Sequence, residues 1–226
     1  MTTARLVDAI VPAKGTSLRI PFKNAQKING DSLVVRKIRQ LLDADRIQRI
    51  FLATDSEQLA EEGQKLGAEI LWREPEFADD KNGKSLSQTI EYLASQVDSQ
   101  DLYWAQVTSP FLSSKRINFF VDEYFRFRNE GYDSLISQLE LREFFWEHQK
   151  PMNYVIGRGH PRSQDLTPIA QMTFGVLMAP RISMIEWGYY HGPNPAIVYV
   201  GKLEALDIDD EEDLRIARAI AHFHES

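Results

Sequence analysis

The chain has 226 residues, 43% of them hydrophobic, and 26 basic against 33 acidic side chains give a net charge of −7. That is enough apolar material for a sizeable core, which excludes disorder along the chain, and at about 100–200 residues per domain it allows one large domain or one domain with an elaboration. The acidic balance argues against non-specific binding along a nucleic-acid backbone, and the absence of cysteine excludes disulfides, thiolate catalysis and Cys-ligated metals.

Short apolar runs at residues 6–11, 49–53, 68–72 and 101–107 read as strands. Between and after them, 31–42, 56–66, 85–97 and 113–127 carry apolar residues at helical spacing, with Ser56 as an N-cap and Gly67 as a stop. Strands alternating with helices at these lengths predict an α/β parallel sheet flanked by helices. After Gly131 the rhythm changes. Strands are expected at 133–141, 172–178 and 197–201, then an acidic turn and a helix over 208–224. Residues 144–168 are aromatic, polar and proline-containing, with no clean period. One domain over 1–226 with an insertion at about 138–172, a lid or dimerisation arm, is the simplest organisation. The start Met1-Thr2-Thr3-Ala4-Arg5 leads into an apolar run broken by Asp8, too short and polar for a signal peptide. No uncharged stretch reaches about 18 residues, so no membrane span is expected. A cytoplasmic location is expected, where a cysteine-free chain lacks nothing.

The first strand empties into Pro12-Ala13-Lys14-Gly15-Thr16-Ser17-Leu18-Arg19-Ile20-Pro21-Phe22-Lys23-Asn24. In an open α/β sheet, ligands sit at the carboxyl ends of strands. This loop offers Lys14, Arg19 and Lys23, and Gly15 to Ser17 can expose backbone N–H groups to an anion. It is neither a Walker A loop nor a dinucleotide fingerprint. A solvated basic loop is the competing reading. Near the other end, Asp207 and Asp209 to Asp213 place six carboxylates in seven positions. A helix N-terminus capped by Asp209 accounts for most of them. Asp207 and Asp209, two apart at the end of an extended run, would share one face, and two such carboxylates suit Mg2+.

Gln106, Thr108 and Ser109 follow a strand whose Trp104 is expected to be buried; they serve as strand-end caps or face the first loop. Arg162 is suited to bind a carboxylate bidentately, or to form a surface or dimer salt bridge. Phe144, Phe145 and Trp146 are expected at an interface or in the core. Lys150 reads as a solvated surface charge. The five histidines show no metal-ligand spacing, and His222 and His224 read as a frayed tail.

Several motifs together resemble the acylneuraminate (CMP-sialic acid) synthetases, within the cytidylyltransferases that activate acidic sugars. The first loop keeps Pro12, Ala13, Ser17, Pro21, Lys23 and Asn24 of the pattern Pro-Ala-Arg-x-x-Ser-Lys-Gly-x-Pro-x-Lys-Asn. Ala53-Thr54-Asp55-Ser56 resembles its Ser-Thr-Asp turn, and residues 69–76 its Arg-Pro-x-x-Leu-Ala stretch. Gln106-Val107-Thr108-Ser109-Pro110 resembles Gln-Pro-Thr-Ser-Pro. Residues 160–168 resemble Arg-x-Gln-Asp-Leu-Pro, and residues 206–214 closely match Ile-Asp-Ile-Asp-Thr-Glu-x-Asp-Leu. The chain departs from the pattern with Lys14 for Arg, Leu18 for Lys, Arg19 for Gly, Val107 for Pro and Phe174 for Asn.

The resemblance implies a Rossmann-like fold of the nucleotide-diphospho-sugar transferase type, a mostly parallel sheet with helices on both faces. It implies transfer of CMP from CTP to a nonulosonic sugar acid in a homodimer that binds neither nucleic acid nor membrane. Lys14, Arg19, Lys23 and Asp209 would act on the reacting phosphates. Ala13, Lys14, Asn24, Ser85, Thr108 and Ser109 would bind the nucleotide. Gln106, Arg162 and Gln164 would meet the acceptor, and Asp207 and Asp209 would hold Mg2+. No residue presents itself as a general base. Another sugar acid such as Kdo, legionaminate or pseudaminate, a non-catalytic nucleotide-binding protein, and a metal-dependent nucleotide hydrolase are the other readings.

Overall fold

The computed structural model describes residues 5–79 and 81–224. The polar start of the chain at residues 1–4, read above against a leader, lies outside them. Strand β1 (Val7–Pro12) runs into the first loop, which ends in a 3-10 turn and the small hairpin β2 (Lys27–Ile28) and β3 (Asp31–Ser32). Then come α1 (Leu33–Leu42), β4 (Ile47–Thr54), α2 (Glu57–Lys65), β5 (Glu69–Trp72), α3 (Leu86–Ser95), β6 (Asp101–Trp104) and α4 (Ser114–Asn129). Beyond them lie β7 (Ser134–Leu141), the hairpin β8 (Trp146–Glu147) and β9 (Lys150–Pro151), β10 (Ile169–Pro180), α5 (Arg181–Trp187), β11 (Pro195–Tyr199) and α6 (Glu211–His224).

Four helices begin on the same device. Ser32, Ser56, Ser85 and Ser113 each accept a hydrogen bond from the backbone N–H three residues on, satisfying a donor that the first turn leaves open. Gln88 closes a reciprocal capping box with Ser85.

The central sheet has seven strands in the order β11-β7-β10-β6-β1-β4-β5. Among its described strands only β10 runs antiparallel to its neighbours. Alternation along each central strand sends side chains to opposite faces. Val7, Ala9 and Val11 join Leu52 and Tyr103 under α1, α4 and α6, while Ile10 joins Phe51, Ala53 and Trp104 under α3 and α5. Both faces are therefore buried, as a parallel sheet requires. The carboxyl ends of β1, β4, β5, β6 and β7 consequently share one edge. At the other edge the buried Asp8 accepts from Arg49 at 2.7 Å and Ser99 at 2.6 Å, a closed structural network.

Several expectations change. Strand β6 stops at Trp104, short of the expected 107, because the chain leaves the sheet to form the turn that carries Gln106 and Thr108. Strand β10 is longer than expected, and its pairing with β7 slips between Thr173 and Leu177. Gly175 sits in that slip: a Cβ there would lie 2.9 Å from Leu112, and its carbonyl accepts the Tyr103 hydroxyl. Helix α5 was not expected; it has seven residues and no side-chain cap. His222 and the backbone of His224 belong to α6 and are no frayed tail. Phe144 stacks on His160 and meets Tyr154 edge-on, so it belongs to a small aromatic cluster of the insertion and not to the core.

Tyr124 of α4 donates to Asp101 at the start of β6, 2.6 Å away, with both residues buried. Tyr124→Phe removes this donor and should lower unfolding free energy by about 1.5–3 kcal/mol, the range for a bond to a charged group. Equilibrium urea unfolding followed by circular dichroism measures it, and a loss below about 0.5 kcal/mol would show that the bond contributes no net stability.

Candidate active site

The first loop leaves β1 at the shared edge and is pinned at four points. Ala13 N–H donates to the Ala53 carbonyl at 2.9 Å, and Gly15 N–H to the Asp55 carboxylate at 2.7 Å. Gly15 has to be glycine, since a Cβ would lie 2.9 Å from that of Ser56. The Asn24 amide donates to the Lys14 carbonyl at 2.8 Å and closes the loop on itself. Lys23 Nζ crosses to the Ile208 carbonyl at 3.0 Å. The Gly15 N–H expected for an anion is thus engaged by Asp55, and the Ala13 N–H by β4.

Lys14, Lys23 and Asn24 form one wall of a cavity of about 420 Å3. Gln106 and Thr108, beyond the end of β6, form another, with Trp104 behind them. Arg73 and Lys84, from the segment between β5 and α3, and Leu86 and Thr89 of α3 complete it. Burial lowers the pKa of both Lys14 and Lys23; nearby Arg73 adds to the effect on Lys14, while Asp209 and Asp207 oppose it on Lys23. A second cavity of about 510 Å3 lies on the outer side of the loop, between Thr16 to Leu18 and Trp72, and shares Arg73 with the first.

Arg73 is the main residue that sequence reasoning passed over. It follows β5 directly, at the edge where ligands gather, and that position was the available signal. Its guanidinium donates to the Phe77 carbonyl, its buried Nε has no hydrogen-bond partner, and burial lowers its pKa. Two contacts hold the segment beyond it. Phe77 stacks on Tyr92 of α3 with ring centres 3.9 Å apart, and Lys84 N–H donates to the Glu76 carbonyl at 2.7 Å.

The acidic segment meets the first loop at the cavity rim. Residues 206–209 belong to no strand, so alternation within a strand does not apply to them. Asp210, and not Asp209, caps α6, accepting from the N–H groups of Glu212 and Asp213 at 2.9 and 3.0 Å. Asp213 reaches back to the N–H groups of Asp209 and Asp210. Asp209 is left to pair with Arg19 at 2.7 Å. Asp207 lies beside the Thr108 side chain, its Oδ1 is buried with no partner, and burial raises its pKa. An orphaned carboxylate oxygen beside a second carboxylate fits a hard divalent cation that takes few protein ligands. No cluster of three or more metal-ligating side chains exists among the described residues.

Other expected site residues are placed differently. Ser85 is exposed as the cap of α3, while its neighbours Lys84 and Leu86 form the wall. Ser109 is 2% exposed and turned away from the cavity, its carbonyl taken by Lys37. Arg162 and Gln164 lie exposed on the insertion and line no described cavity; Arg162 is held by Asp165 at 2.8 and 3.2 Å. Gly83 closes the turn of residues 76–84, where a side chain would collide with the carbonyl oxygens of Glu76 and Asp79. Gly83→Ala should therefore open this turn and speed exchange of the Lys84 amide at least tenfold, read by NMR hydrogen exchange. An unchanged rate would mean that the turn accommodates a side chain.

The sequence model described as Cytidylyltransferase matches residues 9–153. The chain is 26% identical over 222 residues to N-acylneuraminate cytidylyltransferase A of Danio rerio, covering 95% of this chain and 50% of that protein. It is also 26% identical over 221 residues to a pseudaminic acid cytidylyltransferase of Campylobacter jejuni, covering 93% and 94%. The chain thus spans about half the length of the Danio relative and nearly all of the Campylobacter one. Among solved structures, CMP:2-keto-3-deoxy-manno-octonic acid synthetase complexed with CTP superposes with a TM-score of 0.67 at 12% identity, over 97% of this chain and 99% of that one. The 4-diphosphocytidyl-2C-methyl-D-erythritol synthase of Anaerococcus prevotii gives a TM-score of 0.67 at 11% identity, over 97% of each chain. These two establish a shared fold. With well over half of its residues matched by the family's sequence model, the chain belongs to the cytidylyltransferase family.

Proposed function

We propose that the chain transfers CMP from CTP to a nonulosonic, sialic-acid-like sugar acid and releases pyrophosphate. The observation that carries this reading is the meeting of the first loop with the acidic segment beside one cavity of nucleotide size: Lys23, which lines the cavity, bonds the Ile208 carbonyl between Asp207 and Asp209, and Arg19 pairs with Asp209. Membership of the family supports it, and two relatives are named for N-acylneuraminate and pseudaminic acid.

In the proposed reaction the acceptor's anomeric hydroxyl attacks the α-phosphorus of CTP in line. A new O–P bond forms as the bond to pyrophosphate breaks and the hydroxyl proton is lost. Such a transfer needs positioning and charge neutralisation above all. Lys14 and Lys23 hold the triphosphate, with Arg19 turning to it from Asp209. Asn24 keeps the loop closed around it. Arg73 and Thr108 contact the base and ribose, and Gln106 faces the acceptor. Arg162 and Gln164 are left out of this set, because they line no cavity and Asp165 already engages Arg162. Asp207 and Asp209 would hold Mg2+, which when bound neutralises phosphate charge and lowers the pKa of a nearby hydroxyl.

The proposal extends to a homodimer in the cytoplasm. Trp146, Met152, Val155 and Ile156 are exposed together on the insertion, at 50%, 57%, 71% and 64%, and such an apolar surface suits a protein interface.

Pyrophosphate release from CTP should require a nonulosonic acid, and Asp209→Ala should lower it at least 100-fold. Turnover retained in that variant would remove the metal role, and release without any acceptor would indicate a hydrolase. In calorimetry, Arg73→Met should weaken CTP binding at least tenfold while Arg162→Ala stays within twofold. Equal losses would place the nucleotide elsewhere. Sedimentation should show a dimer that Val155→Asp converts to monomer; a wild-type monomer would refute the dimer.

A further inference from the structure

A lysine buried beneath the site has no part in the proposed reaction. Lys37 of α1 is 1% exposed, and its Nζ donates to the Ser109 carbonyl at 2.9 Å. Its partner is a backbone carbonyl, not a carboxylate. Burial pushes its ammonium down to about 7, with Arg36 adding to the effect and Asp207 opposing it. Placing an amine in a closed interior costs stability, and an apolar side chain of similar length would fill the same space without that cost. The residue therefore needs a reason beyond packing.

Its surroundings supply one. Arg36 Nε and Gln40 Nε2, on the same helix, both donate to the Pro110 carbonyl, at 2.8 and 2.7 Å. Three side chains of α1 thus grip two consecutive carbonyls beyond β6. One residue earlier stands Thr108, which lines the cavity. Its carbonyl accepts the Ile208 N–H at 2.9 Å, the amide that joins Ile208 to Asp207, and its side chain lies beside the Asp207 carboxyl. A continuous path runs from Lys37 through Ser109 and the Thr108 carbonyl to the Ile208 amide and so to Asp207, and each link is a hydrogen bond or a peptide unit.

We propose that Lys37 is a positioning residue: by holding the Ser109 carbonyl it fixes the Thr108–Ser109 turn, and through Thr108 the orientation of the Asp207 carboxyl. The proposal rests on the cytidylyl-transfer reading above. It weighs on turnover more than on CTP affinity, because the first loop that grips the triphosphate is also held by bonds outside this path, to Ala53 and Asp55.

The test compares wild type with Lys37→Met and Lys37→Cys in Mg2+, CTP and a nonulosonic acid, alongside thermal melting. Lys37→Met should melt at the wild-type temperature or above, with kcat lowered at least tenfold and the KM for CTP within threefold. The chain has no cysteine, so the Lys37→Cys thiol is unique and can be alkylated with 2-bromoethylamine in denaturant, then refolded. That restores an amine of nearly lysine length and should recover at least a third of the lost kcat. Retention of kcat within twofold in Lys37→Met overturns the proposal. So does loss of kcat and CTP binding together with a lower melting temperature, or failure to fold, since either makes Lys37 a folding residue only. So does an amine that refolds without recovery of kcat. Absence of turnover in the wild type counts instead against cytidylyl transfer itself.

Discussion

A sheet buried on both faces can show polar groups only at its edges. Both faces of the central strands are covered by helices, so charged side chains converge where those strands end and the chain must turn. At the amino ends the polar groups satisfy one another, as Asp8 does with Arg49 and Ser99. At the carboxyl ends they do not. There Arg73 Nε, Trp104 Nε1 and Asp207 Oδ1 are buried without partners. One edge holds the sheet together and the other retains unmet hydrogen-bonding capacity, which is the condition for binding something else.

Two lysines keep that capacity open. Lys23 and Lys37 both end on backbone carbonyls, of Ile208 and Ser109, although carboxylates are close by. Had either ammonium closed on Asp207, the carboxylate would be neutralised and the two segments would collapse into an internal salt bridge. Bonding to main chain instead fixes the segments while leaving the carboxylate oxygen open. Arg19 takes the alternative and pairs with Asp209, but at a surface where water screens the pair and separating it costs little.

How much of this could be read from sequence follows from the same physics. The central strands were legible because burial on both faces turns them into apolar runs bounded by turn residues. The helices were legible because their apolar residues recur at helical spacing, with Ser56 marking the start of α2. Helix α5 was not, since seven residues without a cap carry no period. The first loop and the Asp207–Asp213 cluster were legible as composition, but which aspartate caps and which stays open depends on where the helix begins by a single residue. Arg73 stood in the open just past β5. Lys37 was also within reach: Leu33, Val34, Lys37, Ile38 and Leu41 form the buried stripe of α1, and a lysine on such a stripe is a question in itself. The insertion was legible only as irregularity, because its clusters of aromatic rings follow no helical or strand period.

The bond from Lys23 to Ile208 joins residues 185 positions apart. Contacts of such separation close large loops and give little return until most of the fold around them exists. The cavity walls from β1 through β6 come from the first half of the chain, whereas the segment that completes the rim arrives from the far side of the sheet. A partly folded chain can thus own a nucleotide-sized hollow and still lack its acidic rim. The cost of loop closure therefore favours assembly of this rim after the strands from β1 to β6 have formed.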